Sequence, residues 1–295
     1  MYVDCKKISE ELLNEIKEEA AKLGFNKKIA IVKSEKNSAG TVYERAIIKK
    51  AEKLNIPVKS VVLEEDVDTE KTFKIVEELS EDEDVAGIIP MQPLGEGIDI
   101  SRIKEAIAGN KDIDGQTEKS MSDVFSFRED ALAPATAAAC IEIAKKVLGR
   151  EKFQGLKVCI LGRSLVVGRP LAMLFMKDDA TVAVCHSKTG YDNIVLSMAE
   201  ADIIVSAVGI AHFVTGEMIA ESFETGKMLK NKNTKGDDRL FIDVGINFKD
   251  GKITGDMESE AFKDEVAYVT PVPSGVGLVT TSILFKNLLN GYRQS

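Results

Sequence analysis

Short β-branched apolar runs alternate with longer segments of helical period along this chain. The alternation is typical of βαβ units, in which helices join the strands of a parallel sheet. A first series predicts strands at residues 28–32, 58–63 and 85–90, with helices at residues 7–23, 41–54, 69–79 and 100–108. A second series predicts strands at residues 156–161, 180–185, 202–207 and 240–244. In the second series, polar and apolar residues do not alternate within a strand. This lack of alternation is expected of strands that are covered on both faces.

The two series predict two domains. At 295 residues the chain has the length at which a single core usually stops growing. We expect an α/β fold with an N-terminal α/β domain, formed by residues 1–138 and 278–295, and a doubly wound, Rossmann-type domain at residues 139–277. An Ala-rich helix at residues 135–148 is expected to connect them. The last helix, at residues 280–292, is predicted to return to the first domain because the second series is complete without it.

The composition indicates which classes of partner the protein is not expected to bind. Acidic residues outnumber basic ones by 48 to 39, and the formal charge of −9 argues against a nucleic-acid partner or an anionic membrane surface. No apolar stretch approaches the roughly 20 residues that cross a bilayer, and residues 1–12 do not resemble a signal peptide. No CxxC pair occurs, so we expect buried, reduced cysteines, no metal site and a cytoplasmic protein. The polar insertion at residues 229–239 is interpreted as a solvated loop.

The clearest local motif is LKVCILGRSLVVGRP at residues 156–170, which predicts a buried strand, a glycine turn and the start of a helix. Gly162 ends the strand and Gly168 lies in the first helical turn. A missing side chain there lets a phosphate approach backbone N–H groups at the positive end of the helix dipole. The glycines alone are equally compatible with a plain strand-to-helix turn.

Residues beside this motif favour NADP over NAD. Dinucleotide-binding domains that use NAD place an acidic residue at the end of the second strand, where it binds the ribose hydroxyls. Here that strand ends in CHSK at residues 185–188, without a carboxylate. Arg163 from the glycine turn, together with Ser187 and Lys188, offers charge-assisted hydrogen bonds to a 2′-phosphate. His186 is expected to pack under the adenosine without titrating.

Longer motifs extend this pattern over essentially the whole chain. They are GRSLVVGRP at 162–170, ATVAVCHSKT at 180–189, ADIIVSAVG at 201–209, IDVGIN at 242–247, TPVPSGVG at 270–277, KDIDG at 111–115 and GIIPMQPL at 87–94. Together with the lone Tyr43, they resemble the methylenetetrahydrofolate dehydrogenase/cyclohydrolase family in content and order. The resemblance implies NADP as cofactor, tetrahydrofolate one-carbon derivatives as substrates, a homodimer, and an active site in the cleft between a folate domain and a dinucleotide domain.

The resemblance also assigns roles to single residues. Asp114 corresponds to the carboxylate that binds the pterin ring, whose two adjacent N–H donors suit the two carboxylate oxygens. Tyr43 corresponds to the aromatic residue that stacks on the aminobenzoate ring, and Gln92, Pro273 and Gly275 belong to segments that line the folate site. The implied cofactor-binding residues are Gly162, Arg163, Ser164, Val167, Gly168, His186, Ser187, Gly209 and Ile246. Asp114 keeps an alternative interpretation as a turn residue, because D-x-D-G is good turn chemistry.

The chain departs from the family at catalytic positions of the folate half. The family has a lysine four residues after the tyrosine, where this chain has Ile47, and the glutamine that partners the lysine is replaced by Met91. Cyclohydrolase chemistry adds water to the methenyl cation and needs proton transfers, which isoleucine cannot perform. We therefore predict an NADP-dependent dehydrogenase acting on 5,10-methylenetetrahydrofolate, with weak or absent cyclohydrolase activity.

Two alternatives stay open. Lys50 follows Tyr43 by seven residues on the same helical face and could serve as the catalytic base of a bifunctional enzyme, although a solvated surface lysine is the simpler expectation. Lys49 is less favourably placed. The alternative from another class is a protein that binds folate or dinucleotide without catalysis. The retained Arg163, Ser187 and Asp114 argue against it.

Overall fold

The chain divides into two compact units. The first unit comprises Glu10–Ala135 and Thr281–Ser295, and the second unit comprises Met1–Ser9 and Thr136–Thr280. The computed structural model describes residues 1–35, 38–65, 67–229, 239–249, 251–262 and 268–295, without the side chains of residues 38–42, 259 and 260. Most of the insertion predicted as a solvated loop therefore lies outside the described residues.

The first unit contains a three-stranded parallel sheet. Its strands are β1 (Lys28–Ser34), β2 (Val58–Leu63) and β3 (Val85–Met91), in the order β2-β1-β3. The helices in this part of the chain are α1 (Cys5–Leu23), α2 (Ser38–Leu54), α3 (Thr69–Glu81), α4 (Ile100–Glu105) and α5 (Glu118–Phe125). The three predicted strands and four predicted helices are confirmed. Residues 29–32 of the central strand are fully buried, which explains their continuous apolar run.

Helix α5 is not predicted by the sequence. It spans only 8 residues in a segment rich in Asp, Ser and Gly, and these residue types indicate turns and loops. Its N-cap is Thr117, whose side-chain oxygen accepts a hydrogen bond of 3.2 Å from the N–H of Ser120. Such a cap stabilises a short helix locally, and composition alone does not reveal it.

The second unit contains a five-stranded parallel sheet and a small antiparallel hairpin. The strands after residue 150 are β4 (Lys157–Leu161), β5 (Thr181–Cys185), β6 (Ile203–Ser206), β7 (Leu240–Asp243), β8 (Asn247–Lys249), β9 (Lys252–Thr254) and β10 (Tyr268–Val269). The helices are α6 (Ala135–Leu148), α7 (Gly168–Lys177), α8 (Tyr191–Glu200) and α9 (Gly216–Leu229). The sheet has the order β10-β7-β6-β4-β5, and β8 pairs with β9. Strands β5 and β6 lie on opposite sides of β4, and doubly wound sheets bind ligands at the carboxyl ends of the strands at such a switch point.

The last helix, α10 (Val276–Arg293), belongs to the first unit from Thr281 onward, so its predicted return to the first domain is confirmed. The side-chain amide of Asn287 donates hydrogen bonds of 2.9 Å to the backbone carbonyls of both Ile113 and Ala133. Helix α10 therefore holds two separate points of the segment that links the end of the first strand series to α6.

Two expectations from the sequence concern membrane-spanning segments and cysteines. Among the helices that the structure describes, none is both long and apolar enough to cross a membrane. All four cysteines are buried and free of disulfide bonds. Burial was expected for Cys159 and Cys185, which lie in the apolar strands β4 and β5.

Candidate active site

A cavity of about 260 Å³ lies at the carboxyl ends of β4, β5 and β6 in the second unit. The predicted cofactor residues that line it are Gly162, Arg163, Ser164, His186 and Ser187. The predicted cofactor residues that do not line it are Val167, Gly168, Gly209 and Ile246. The structure therefore collects five of the nine at one site, from the glycine turn and from the end of the second strand.

Close backbone contacts shape the glycine turn. Gly162 has a φ of +120°, and a Cβ there would lie 2.4 Å from the carbonyl oxygen of Ala207. A Cβ at Gly168 would lie 2.2 Å from the carbonyl oxygen of Gly162, so α7 packs on the turn only with a glycine there. The Oγ of Ser164 accepts hydrogen bonds from the N–H groups of Val167 and Gly168, at 3.2 and 3.4 Å. The phosphate-binding role of the Gly168 N–H stays a prediction, since this group is paired with Ser164.

The turn after β5 fixes the other polar residues of the cavity. The N–H of His186 donates to Thr189 Oγ1 at 3.0 Å, and His186 Nδ1 accepts a hydrogen bond of 3.2 Å from the N–H of Lys188. Arg163 and Ser187 bring a guanidinium and a hydroxyl to the same cavity. None of the described residues that line it carries a carboxylate. This set of donors fits a phosphorylated ribose better than a ribose with two free hydroxyls.

Two aspartates of the KDIDG segment differ in role within the first unit. Asp112 is buried and accepts hydrogen bonds from the N–H of Thr117 and the Oγ of Ser120, both at 2.7 Å. Asp112 is therefore the residue whose side chain stabilises the turn in this segment. Burial, and secondly the negative charge of Asp112, raises the pKa of Asp114 to about 7. Gln116 donates its side-chain N–H to Asp114 Oδ2 at 2.5 Å, so Asp114 is a desolvated carboxylate with one oxygen engaged.

Backbone contacts hold Asp114 in place. Gly115 has a φ of +66°, and a Cβ there would lie 2.4 Å from the carbonyl carbon of Ala133. The carbonyl oxygen of Asp114 accepts a hydrogen bond of 3.3 Å from the N–H of Ala135. The carboxylate thus lies on a segment that is packed directly against residues 133–135.

Tyr43 lies close enough to Asp114 for the negative charge of the carboxylate to act on the Tyr43 hydroxyl. Burial raises the pKa of the Tyr43 hydroxyl above its ordinary range, and the carboxylate of Asp114 raises it further. The side-chain amide of Gln92 donates to Gln116 Oε1 at 3.3 Å, and Gln116 in turn donates to Asp114. The structure therefore brings together three predicted folate-site residues. Gln116 is not predicted by the sequence, although an amide two residues after the proposed pterin ligand is a signal that could have identified it.

The two departures from the family pattern, Ile47 on helix α2 and Met91 on strand β3, are both buried. Ile47 is 0% exposed and Met91 on β3 is 4% exposed. Lys50 is also buried, at 9% exposed, so the expectation of a solvated surface lysine is wrong. Its Nζ donates a hydrogen bond of 2.6 Å to the Oγ of Ser282 on α10. Burial, with a smaller contribution from the charge of Lys53, lowers the pKa of Lys50 to about 8.

Pro273 and Gly275 lie in the second unit, in the turn at the start of α10. The peptide bond between Val272 and Pro273 is cis. A Cβ at Gly275 would lie 2.0 Å from the carbonyl oxygen of Pro271, so the close turn accounts for the glycine. The role of both residues in folate binding stays a prediction.

Two family models match the chain in tandem. The catalytic-domain model of tetrahydrofolate dehydrogenase/cyclohydrolase matches residues 3–114, and the NAD(P)-binding-domain model matches residues 134–295. The chain belongs to the tetrahydrofolate dehydrogenase/cyclohydrolase family. Within that family's catalytic domain lie Tyr43, Gln92 and Asp114, and within its NAD(P)-binding domain lies the cavity described above.

Members of the family resemble this chain over nearly its full length. The bifunctional protein FolD of Clostridium tetani is 37% identical over 300 residues, which cover 99% of each protein. The bifunctional dehydrogenase/cyclohydrolase of Thermoplasma acidophilum has 29% identity and a TM-score of 0.86, over 100% of this chain and 98% of its own. The Trypanosoma brucei FolD, complexed with NADP and an inhibitor, has 28% identity and a TM-score of 0.84, over 100% of this chain and 97% of its own. The predicted family and two-domain α/β fold are confirmed.

Proposed function

We propose that this chain oxidises 5,10-methylenetetrahydrofolate to 5,10-methenyltetrahydrofolate with NADP and is a poor cyclohydrolase. The observation that carries the proposal is the burial of Ile47 and Met91 at the positions where the family resemblance places a lysine and a glutamine. An apolar pair at these positions cannot exchange protons with a reacting ring. The guanidinium and hydroxyl of the cofactor cavity and the desolvated Asp114 are retained, so binding of both reactants is expected to persist.

We assign NADP to the domain at residues 139–277. The donors in the cavity support this assignment, since Arg163 and Ser187 offer hydrogen bonds to a 2′-phosphate and His186 offers a surface for the adenosine. When bound, NADP supplies the acceptor for the hydride that leaves the folate methylene carbon. The substrate nitrogens provide the electronic push, so the protein's contribution to this step is mainly positioning.

We assign the folate to the domain formed by residues 1–138 and 278–295. Asp114 accepts hydrogen bonds from two adjacent N–H donors of the pterin, and Tyr43 stacks on the aminobenzoate ring. Support comes from the proximity of the two side chains and from the chain of hydrogen bonds that runs from Gln92 through Gln116 to Asp114. The carboxylate must be ionised to accept from both donors.

Burial of Lys50 favours a second candidate function, a bifunctional enzyme with a displaced lysine. A pKa of about 8 leaves part of the Lys50 population unprotonated near neutral pH, as a general base requires. Ser282 orients the amine through a hydrogen bond of 2.6 Å. In this candidate Lys50 activates water for hydrolysis of the methenyl product.

A first assay separates a dehydrogenase from a protein that binds its ligands without catalysis. Purified protein is mixed with 5,10-methylenetetrahydrofolate and either NADP or NAD, and the methenyl absorbance band is followed. Accumulating methenyl product supports the proposed dehydrogenase. Tight NADP binding without any absorbance change on adding 5,10-methylenetetrahydrofolate would instead indicate a protein that binds its ligands without catalysis.

Preformed 5,10-methenyltetrahydrofolate then tests hydrolysis alone. We expect its decay with the wild-type protein to match the decay in buffer. Fast decay that is lost in Lys50→Met and kept in Lys53→Met would establish the bifunctional candidate. Lys53 is the matched control because it is an exposed lysine on the same helix.

The homodimer implied by the family resemblance is also a proposal. Light scattering coupled to size-exclusion chromatography gives the mass of the particle directly. A mass of one chain, 32.1 kDa, would contradict a dimer.

A further inference from the structure

Asp256 is a fully buried carboxylate that follows β9 in the second unit. Its Oδ2 accepts hydrogen bonds from the N–H groups of Val208 and Gly209, at 2.7 and 3.1 Å. Its Oδ1 accepts a hydrogen bond of 3.1 Å from the N–H of Ile210. One side chain thus binds three consecutive backbone amides of the loop that follows β6.

This loop forms part of the cofactor cavity. Val208 and Ile210 line it, whereas Asp256 does not. Ser206, the last residue of β6, also donates its hydroxyl to Asp256 Oδ2 at 3.4 Å. The carboxylate therefore lies behind the wall of the cavity. It holds the wall through hydrogen bonds to the backbone N–H groups of the loop.

A second carboxylate and two glycines hold Asp256 itself. Asp243, at the end of β7, accepts hydrogen bonds from the N–H groups of Asp256 and Met257, at 3.0 and 2.9 Å. A Cβ at Gly255 would lie 1.9 Å from Asp243 Oδ2, and one at Gly245 would lie 2.2 Å from Asp256 Oδ1. Both carboxylates can approach the backbone this closely only because glycine occupies these positions.

The donors around Asp256 suit an ionised carboxylate. Asn247 completes the set by donating its side-chain N–H to Oδ1 at 2.9 Å. An ionised carboxylate accepts about four hydrogen bonds and donates none, so all of these N–H groups are satisfied. An asparagine would turn its own N–H group toward donors that need an acceptor, and a buried donor without an acceptor is unfavourable.

We propose that Asp256 is a positioning residue for NADP: it fixes the loop at residues 208–210 as a preformed wall of the cofactor cavity. The inference rests on the proposed cofactor site and adds to it a residue that does not touch the ligand. A rigid wall lowers the entropy that is lost when the dinucleotide binds. Loss of the carboxylate therefore acts on NADP affinity in protein that is still folded.

The test compares Asp256→Asn with the wild-type protein by two measurements. The first is hydrogen–deuterium exchange of the loop amides without ligand, and the second is the dissociation constant for NADPH from its fluorescence. We expect faster exchange at residues 208–210 and a dissociation constant raised about tenfold or more, since several charge-assisted hydrogen bonds are lost. The kcat at saturating NADP should change less than the KM for NADP.

Glu258→Gln is the matched control. Glu258 lies two residues after Asp256 and accepts a hydrogen bond of 2.7 Å from the N–H of Gly216, but it does not line the cavity. This variant should leave both the exchange of the loop and the NADPH dissociation constant unchanged. A purely structural role for Asp256 would give both variants the same pattern, a lower melting temperature with unaltered affinity.

Three results overturn the inference. The first is an Asp256→Asn protein that binds NADPH like the wild type. The second is an Asp256→Asn protein that binds NADPH more weakly but without faster exchange of the loop amides. The third is a wild-type protein that does not bind NADPH. The last also rejects the proposed cofactor site, whereas the first two leave it standing. If Asp256→Asn does not fold, Asn247→Ala takes its place, with faster loop exchange and a smaller rise in the dissociation constant expected; unchanged values then reject the proposal.

Discussion

The amine of Lys50 on α2 donates a hydrogen bond of 2.6 Å to the hydroxyl of Ser282 on α10, a residue 232 positions later in the chain. Both residues are buried. The contact joins the helix that carries Tyr43 to the last helix of the same unit. It also places an ionisable group where its charge is unfavourable, and this gives the first prediction.

The stability of the protein should depend on pH through Lys50. Burial lowers the pKa of Lys50 from 10.5 to about 8 in the folded chain, so between these values the unfolded chain binds more protons. The contribution of Lys50 to the free energy of unfolding must therefore rise with pH across that window. Urea denaturation at pH 8 and pH 10 should show the wild type gaining stability relative to Lys50→Met. The exposed Lys53→Met should show no such gain, and identical pH profiles for all three proteins would contradict the lowered pKa.

Arg163→Ala should erode the preference for NADP over NAD. A charge-assisted hydrogen bond to a phosphate is worth about 1.5–3 kcal/mol, so NADPH affinity should fall roughly ten- to a hundredfold while NADH affinity changes little. Dissociation constants for both cofactors give the measurement. Arg169→Ala, which removes an exposed arginine of α7 outside the cavity, is the control. Equal affinity of the wild type for NADPH and NADH would reject the assignment of Arg163 to the 2′-phosphate.

Asp112 and Asp114 should respond differently to replacement by asparagine. Asp114→Asn should raise the KM for 5,10-methylenetetrahydrofolate roughly tenfold or more, because one pterin donor loses its acceptor, and should leave NADPH affinity unchanged. Its melting temperature at pH 8 should not fall, since the change removes a charge that desolvation makes unfavourable. Asp112→Asn should destabilise the fold by about 1–3 kcal/mol, because a carboxylate that accepts from Thr117 and Ser120 is lost. An unchanged KM in Asp114→Asn would make Asp114 a structural residue only.

Folate affinity should rise with pH through the titration of Asp114. Burial raises the pKa of this carboxyl to about 7. Below that pH it is largely neutral and cannot accept from both pterin donors, so the KM for 5,10-methylenetetrahydrofolate should fall between pH 6 and pH 8. The Asp114→Asn variant should lack this dependence. A wild-type KM that stays flat over the same range would show that Asp114 ionises well below neutral pH.

Ile47→Lys should alter hydrolysis of 5,10-methenyltetrahydrofolate more than it alters hydride transfer. A lysine there lies one helical turn from Tyr43, and burial would lower its pKa toward neutral pH. Because Ile47 is fully buried, a lower melting temperature is also expected, so rates are compared at a temperature where the variant is folded. The double variant with Met91→Gln should hydrolyse faster than the single variant. A ratio of the two activities that matches the wild type in both variants would contradict this prediction.

Most strands were predictable from the sequence, because parallel strands appear as short apolar runs. The expectation that the strands of the second series are covered on both faces is wrong for β5, an edge strand with several exposed residues. The helix Ala135–Leu148 has the predicted bounds. Strand β10, of 2 residues, and the hairpin of β8 and β9 are too short to produce a periodic pattern, and the sequence does not predict them.

The candidate sites were predictable where they depend on local motifs. The glycine turn and the CHSK segment meet at one cavity as expected. Buried contacts between distant segments were not predictable: Lys50 meets Ser282, and Asp256 meets the loop after β6. A single sequence contains no signal for such pairs, and for Lys50 the pattern of a surface lysine was misleading.

Because α10 returns to the first unit, the two units are completed in a fixed order during translation. The ribosome releases Glu10–Ala135 before most of the second unit, but it releases the residues from Thr281 onward, which complete the first unit, only after the second unit. Until then the carbonyls of Ile113 and Ala133 lack the amide of Asn287. The second unit ends at Thr280, so its chain is complete before that of the first unit, although most of its sequence is translated later.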